Sequence, residues 1–149
     1  FAKLEPPGLF RNDGKRPDGL TLVPWSNGLH LVWDATCWDT LAPSHRAISA
    51  REARRTAELA SRTKHDKYSE LKAQNYLFNA FAVETLGPWS LEALALINKI
   101  GPKLNEVSGD PRSHTYLVQR ISLAIQKANA SCILGTIPTD MKLDQIFYL

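Results

Sequence analysis

The sequence lacks several signals that would assign it to a common functional class. Its two cysteines, Cys37 and Cys132, are far apart and form no Cys-x-x-Cys or Cys/His cluster, so no zinc site is indicated and buried, reduced thiols are expected. No apolar run approaches the roughly 18 residues of a transmembrane helix, and no signal peptide opens the chain. A glycine-rich phosphate loop and a Ser/His/Asp arrangement are also missing. We therefore expect an intracellular protein, with the nucleus included, and no membrane partner.

Length and composition fit one domain. The chain has 149 residues and 44% hydrophobic content, enough to bury a core. Its net charge of +3 and pI near 9.0 are compatible with nucleic acid without being diagnostic of it. Because the chain begins with Phe1 rather than Met, we interpret it as part of a larger polypeptide. We expect a single domain over 1–149, with a core over 15–90, a helical part over 90–131 and a tail over 132–149.

Two apolar runs flank a turn signal in the first third of the chain. The runs Leu20–Val23 and Leu29–Trp33 surround Asn27-Gly28, a dipeptide typical of β-hairpins. Asp18 precedes the first run and Asp34 ends the second, so a hairpin brings both carboxylates to one sheet edge. Two close carboxylates are costly unless a cation lies between them. Oxygen ligands suit Mg²⁺, and the carbonyl of Ala35 is a natural third ligand.

The central part of the chain predicts a crossover. Ser49 and Glu52 form a capping-box pattern, and the stretch from Ala50 to about Ala73 contains no glycine or proline, so one long helix is expected. The nearly continuous apolar run over 76–84 predicts a central strand covered on both faces. We thus predict an α/β fold with a small mixed sheet, a hairpin plus a crossover strand, flanked by helices. Residues 1–17 are expected to form a loop or arm.

The last third predicts helices. Ser90 is a plausible N-cap for an amphipathic helix, which Gly101-Pro102 should kink or end. The segment from His114 to Ala130 carries an apolar stripe at helical spacing and predicts a second helix.

These motifs, in this order, resemble the PD-(D/E)XK nuclease superfamily, and most closely the restriction-like endonuclease domain of site-specific non-LTR retrotransposons. Pro17-Asp18 matches the "PD", and Asp34-Ala35-Thr36 matches the "(D/E)XK" with Thr36 in the place of the lysine. A helical segment with lysine and tyrosine, Lys64–Tyr68, and an apolar strand running into Gly87-Pro88-Trp89 follow. The resemblance covers roughly residues 15–90. It implies a restriction-endonuclease-like fold that uses Mg²⁺ or Mn²⁺ to nick target DNA for a retroelement.

The resemblance also implies roles for individual residues. Asp18 and Asp34 are the expected metal ligands and catalytic carboxylates. Because Thr36 carries no charge, Lys67 on the helix is the candidate for the lysine that orients the water and stabilises negative charge. The expected partners are DNA and other domains of the same polypeptide, a reverse transcriptase and a DNA-binding domain. The candidate DNA-binding residues are Lys15, Arg16, Lys64, Tyr68 and Arg120.

Two other interpretations stay open at the level of sequence. The absence of a lysine at Thr36 is compatible with a catalytically degenerate nuclease fold that binds nucleic acid without cutting it. The chain is also compatible with an interaction module of a larger protein, in which Asp18 is a turn residue and Lys67 part of a solvated helix face. Glu84, at the end of the apolar strand, is either an additional metal ligand or a cap for the following turn.

Overall fold

A computed structural model describes residues 2–6 and 16–136 of the chain. It has a four-stranded mixed sheet in the order β1-β2-β3-β4, with helices on both faces, which confirms the predicted α/β class. The elements in chain order are β1 (Ala2–Leu4), β2 (Gly19–Thr21), β3 (Leu31–Trp38), α1 (Pro43–Ser49), α2 (Arg55–Lys67), α3 (Glu70–Ala73), β4 (Leu77–Glu84), α4 (Leu91–Ser108) and α5 (Ser113–Thr136).

The predicted hairpin and crossover strand are both present. Strands β2 and β3 pair antiparallel, with Gly19 opposite Trp33. Asn27 and Gly28 adopt the positive φ angles, 51° and 75°, that a tight hairpin turn requires. After α2, strand β4 returns parallel to β3, so that Asp34 lies beside Ala80.

The two faces of the sheet are covered by different helices. Alternation along β3 and β4 turns Val32 toward α2, where it packs with Tyr68 and Leu71. The opposite face carries Val83, which packs with Ile125 and other side chains of α4 and α5. Asp34 is two residues from Val32 and therefore belongs to the face beneath α2.

The prediction of one helix from Ala50 to Ala73 is wrong. Helix α1 ends at Ser49, and α2 begins after Arg54, whose φ angle is +73°. Ser49 Oγ lies 2.6 Å from Thr56 Oγ1 instead of capping a backbone amide. The free amide of Ala57 near the start of α2 donates to Glu84 Oε1 at 3.1 Å. A side chain from β4 thus does what the local capping box was expected to do.

The first residues and the last strand also differ from the sequence prediction. Ala2–Leu4 is not an arm but an edge strand, and Glu5 N donates to the carbonyl of Asp18 at 2.8 Å. Strand β4 lies at the other end of the sheet order instead of its centre. Its outer edge is covered because the chain turns back there, and Ser90 N donates to the carbonyl of Ala82 at 2.9 Å.

Helices α4 and α5 form a close pair. Helix α4 continues through Pro102 to Ser108, so it does not end at Gly101-Pro102. The close packing of the two helices explains the glycine, because any side chain at Gly101 would overlap the imidazole of His114. Helix α5 extends to Thr136, past the predicted end at Ala130, and the rest of the expected tail, 137–149, lies outside the described residues.

Two further findings concern the thiols and the membrane. Cys37 and Cys132 are exposed, contrary to the prediction of buried thiols, because Cys37 lies beside an open groove and α5 contributes little buried surface beyond Ile125. Within 2–6 and 16–136, none of the helices combines the length and the apolarity that crossing a membrane demands.

Candidate active site

A buried carboxylate, Asp34, lies at the centre of the site. Its side chain is on the sheet face beneath α2 and is only 3% exposed. Oδ1 accepts a hydrogen bond from the Tyr68 hydroxyl at 3.2 Å, and Oδ2 forms an ion pair with the ammonium of Lys64. A cation and a hydrogen-bond donor thus compensate the hydration that this carboxylate loses on burial.

The rotation of α2 about its own axis determines which lysine reaches Asp34. Lys64 and Tyr68 are four residues apart, so they lie one turn from each other on the same side of the helix. Both face the sheet, and both contact Asp34. The contact that the structure shows for Lys67 is with the aromatic ring: its Nζ lies 4.6 Å from the centroid of the Tyr68 ring. The structure therefore brings Lys64 to the carboxylate, where the sequence analysis had placed Lys67.

The hairpin brings the second carboxylate to the same place. Asp18 immediately precedes β2, whose first residue, Gly19, pairs with Trp33. Asp18 Oδ2 accepts a hydrogen bond from Ala35 N at 2.6 Å. The hairpin thus brings the Asp18 carboxylate to the backbone of the residue that follows Asp34.

The oxygen atoms at this edge suit a hard divalent cation. The N–H and C=O of a strand residue point to the same neighbouring strand, so the Ala35 carbonyl also faces the side of Asp18. Asp34 Oδ2 is buried and, apart from its ion pair, accepts no hydrogen bond within the described residues. Over 2–6 and 16–136 no group of three or more His, Cys, Asp or Glu side chains is arranged to hold a metal ion by itself. Two carboxylates, a carbonyl and waters make a donor set that fits Mg²⁺.

Tyr68 orients the carboxylate and is buried. Its hydroxyl lies 2.9 Å from the Arg16 carbonyl and 3.2 Å from Asp34 Oδ1. Burial raises the pKa of Tyr68 above its usual value, and the nearby negative charge of Asp34 raises it further. The phenol therefore remains a hydrogen-bond donor. The prediction that Tyr68 contacts DNA is corrected: with 2% exposure, the side chain serves Asp34 instead.

The other predicted DNA-binding residues differ in whether the structure places them near the aspartates. Lys15 lies outside the described residues. Arg16 is exposed, and its guanidinium forms an ion pair with Glu5 at 2.7 Å. Arg120 is exposed on α5, where its Cζ lies 5.9 Å from the centroid of the Tyr116 ring. Because α5 packs on the opposite sheet face from Asp34, the structure does not bring Arg120 to the carboxylates.

Glu84 is a second buried acid on the same sheet face, with a different environment. It is 2% exposed, and its two oxygens accept hydrogen bonds from Ala57 N at 3.1 Å and from Thr40 Oγ1 at 3.2 Å. It is four residues along β4 from Ala80, the neighbour of Asp34, which is about 13 Å at the rise of a strand. Glu84 is therefore separate from the aspartate pair, and its side chain caps α2.

A groove of about 550 Å³ lies on the other side of the sheet, between the hairpin and α4. Most of its lining is apolar and includes Trp25, Trp33 and Phe81. Ala35 and Trp33 belong to the face opposite Asp34 because side chains alternate along β3. The groove and the charged cluster are thus on opposite faces.

Comparison with known proteins returned no match to the chain among protein-family models, curated proteins or solved structures. The local geometry of Asp18, Asp34, Lys64 and Tyr68 therefore carries the functional argument. Sequence reasoning assigned Lys64 to DNA backbone binding and missed its contact with Asp34. The available signal was its four-residue spacing from Tyr68, which places the two side chains on one helix face.

Proposed function

We propose that this chain is a metal-dependent DNA endonuclease that hydrolyses phosphodiester bonds on a restriction-endonuclease-like fold. The observation that carries the proposal is the buried Asp34 with the Lys64 ammonium beside it, next to the Ala35 amide that donates to Asp18. A buried acid costs free energy, and Asp34, unlike Glu84, is compensated by a partly exposed lysine and not by fixed hydrogen-bond donors on both oxygens. The mixed sheet, a hairpin followed by a parallel crossover strand, supports the same proposal because it is the arrangement that the motif resemblance implies.

The side chains have complementary tasks in this chemistry. Asp18, Asp34 and the Ala35 carbonyl would hold Mg²⁺ or Mn²⁺, which supplies an activated water and neutralises negative charge on the phosphate. Tyr68 donates to Asp34 Oδ1 and so fixes the orientation of the carboxylate. Lys64 is 20% exposed, so its ammonium can approach a phosphate from the solvent side and stabilise the charge that develops on it.

DNA is the proposed substrate because the chain is basic and carries basic side chains beside the aspartates. The net charge of the chain is +3, and Arg16, whose carbonyl accepts from the Tyr68 hydroxyl, has an exposed guanidinium. Contacts of this kind bind a phosphate backbone without reading bases, so target choice would come from other domains of the same polypeptide. Nicking of nuclear DNA for a retroelement is the role that the motif resemblance suggests.

The test is nicking of supercoiled plasmid in Mg²⁺ or Mn²⁺ by the wild type and Asp34→Ala. We expect the variant to lose activity by at least about 100-fold, as when other charge-stabilising groups are removed from active sites. A folded Asp34→Ala protein that nicks at the wild-type rate would refute the proposal.

A pair of lysine variants tests the assignment of the catalytic cation. Lys64→Met and Lys67→Met remove the same charge from the same helix, but it is Lys64 that forms the ion pair with Asp34, whereas Lys67 Nζ lies over the Tyr68 ring. We expect Lys64→Met to reduce nicking by about 100-fold and Lys67→Met to reduce it by less than about tenfold. The reverse order would restore Lys67 as the catalytic lysine.

A degenerate nuclease fold that only binds nucleic acid is the second candidate. The ion pair of Lys64 with Asp34 favours it, because it neutralises the carboxylate without any metal. This function predicts salt-dependent DNA binding that is the same with and without Asp34, and no nicking. An interaction module, in contrast, would show no salt-sensitive DNA binding at all.

A further inference from the structure

We propose that Lys64 is a built-in counter-ion that competes with the metal for Asp34, and that a DNA phosphate relieves this competition, so that metal and DNA bind cooperatively. The inference rests on the proposed function and adds a form of regulation to the same site. It predicts that the metal site is weak in the free protein and becomes strong only when a phosphodiester is present.

The first step is that the charge of Asp34 needs a neighbouring cation whether or not a metal is bound. Asp34 is 3% exposed, so water solvates its charge poorly, and the ammonium of Lys64 supplies the compensation. The ion pair uses Oδ2, the oxygen that accepts no hydrogen bond within the described residues, while Oδ1 is held by Tyr68. The oxygen left for a metal is thus the one that Lys64 already neutralises.

The second step is that the two cations exclude each other. A Mg²⁺–oxygen bond is about 2.1 Å long, and an ammonium in direct contact with the same oxygen would lie a few ångströms from the metal. Repulsion between like charges at that distance is large in a poorly hydrated site. Metal binding at Asp34 therefore requires the ammonium of Lys64 to move away.

The third step is that Lys64 is able to move, whereas Asp34 is not. The Lys64 side chain is 20% exposed, against 4% for that of Asp34, and a lysine stem has several rotatable bonds. Moving the ammonium from its carboxylate into solvent costs the free energy of the lost ion pair. A DNA phosphate next to the metal gives the ammonium a new anion and removes that cost. Because coupling between two ligands is reciprocal, the metal must strengthen DNA binding by the same factor.

The experiment measures Mn²⁺ binding by electron paramagnetic resonance, with and without a short DNA duplex, and subtracts binding by the duplex alone. In the wild type we expect the duplex to tighten Mn²⁺ binding at least about fivefold, a typical coupling between sites. Lys64→Met should bind Mn²⁺ about tenfold more tightly than the wild type without DNA, because the competitor is gone. In Lys64→Met the duplex should tighten Mn²⁺ binding only slightly further.

Two control variants separate competition from general repulsion. Lys64→Arg keeps the positive charge, so its Mn²⁺ binding should be weak without DNA and tightened by the duplex, as in the wild type. Arg62→Met removes a positive charge from an exposed position of the same helix and should bind Mn²⁺ like the wild type. Equal tightening by Lys64→Met and Arg62→Met would overturn the inference, since it would reflect net charge alone.

The remaining outcomes distinguish this inference from the proposed function. Mn²⁺ binding that depends on Asp34, but is the same in wild type and Lys64→Met and is unaffected by DNA, would overturn the inference and leave the metal site in place. Absence of Mn²⁺ binding in every variant, or binding that survives Asp34→Ala, would overturn both. If Lys64→Met fails to fold, the effect of DNA on the wild type and on Lys64→Arg decides: no tightening in either overturns the inference.

Discussion

Two buried carboxylates on one sheet face, Asp34 and Glu84, have nearly the same exposure, 3% and 2%, but different partners. Glu84 accepts hydrogen bonds on both oxygens, from a backbone amide and from the Thr40 hydroxyl. Asp34 accepts one hydrogen bond from a side chain, and its other oxygen is paired with a long, partly exposed lysine. Burial alone therefore does not identify the functional acid.

The difference between the two acids is whether their partners can leave. The amide of Ala57 is fixed in the first turn of α2, where the helix dipole also favours a negative charge, so Glu84 holds the helix in place. Lys64 is replaceable because its ammonium can reach solvent. We therefore interpret Glu84 as structural and Asp34 as the acid that is available for chemistry.

The largest effect is expected from Glu84→Ala. Removing this carboxylate leaves the Ala57 amide and the Thr40 hydroxyl without an acceptor and opens a cavity, so the free energy of unfolding should fall by about 4 kcal/mol. Asp34→Ala should cost only about 1 kcal/mol, because Lys64 can turn to solvent and Tyr68 keeps the Arg16 carbonyl. Urea unfolding of both variants measures the difference. Equal losses would contradict the distinction between the two acids.

A smaller effect is expected from Tyr68→Phe, which removes the hydroxyl that bonds Asp34 Oδ1 and the Arg16 carbonyl. The loss in unfolding free energy should be about 1 kcal/mol near neutral pH. Stability should also depend on pH. Because the pKa of Tyr68 is raised in the folded state, the folded protein keeps a proton that the unfolded chain releases.

The stabilisation from this retained proton is complete below the ordinary tyrosine pKa of 10.0 and declines as pH rises above it. The wild type should lose up to about 1.4 kcal/mol per pH unit there relative to Tyr68→Phe. Urea unfolding of both proteins between pH 8 and about pH 11 measures this, and parallel curves would show that Tyr68 titrates normally.

The smallest effect is expected from Glu52→Ala. The sequence pattern assigns this residue to a capping box, but its carboxylate is exposed and lies 3.9 Å from Arg55 Nε. Exposed ion pairs of this kind contribute little, so the change in unfolding free energy should be below about 0.5 kcal/mol. A loss above about 1 kcal/mol in urea unfolding would indicate that Glu52, and not only Glu84, caps the helix.

Local signals account for the parts of the fold that sequence predicted. The turn at Asn27-Gly28 depends on two residues that tolerate positive φ, and it sets the register that brings Asp18 to the Ala35 amide beside Asp34. The continuous apolar run likewise predicted β4, because apolarity on both faces is a property of the segment itself. The aspartate pair of the candidate site was therefore predictable.

Other parts depend on contacts between distant segments and were not predictable. The start of α2 is fixed by Glu84, 27 residues from Ala57, so the local capping box was misleading. The choice of Lys64 over Lys67 depends on the rotation of α2 about its axis, which packing of Tyr68 on Val32 and Leu71 determines. Strand β1 has three residues, and only its pairing with β2 defines it.

The hydrogen bond from Ala57 to Glu84 has a consequence for the order of events during synthesis. A nascent chain that has emerged from the ribosome only as far as Asn75 already contains Asp18, Asp34 and Lys64. It lacks β4, and with it the carboxylate that anchors the first turn of α2. We therefore expect Lys64 to reach Asp34 only after Glu84 has been made and docked, so that the proposed site does not assemble before β4 has been synthesised.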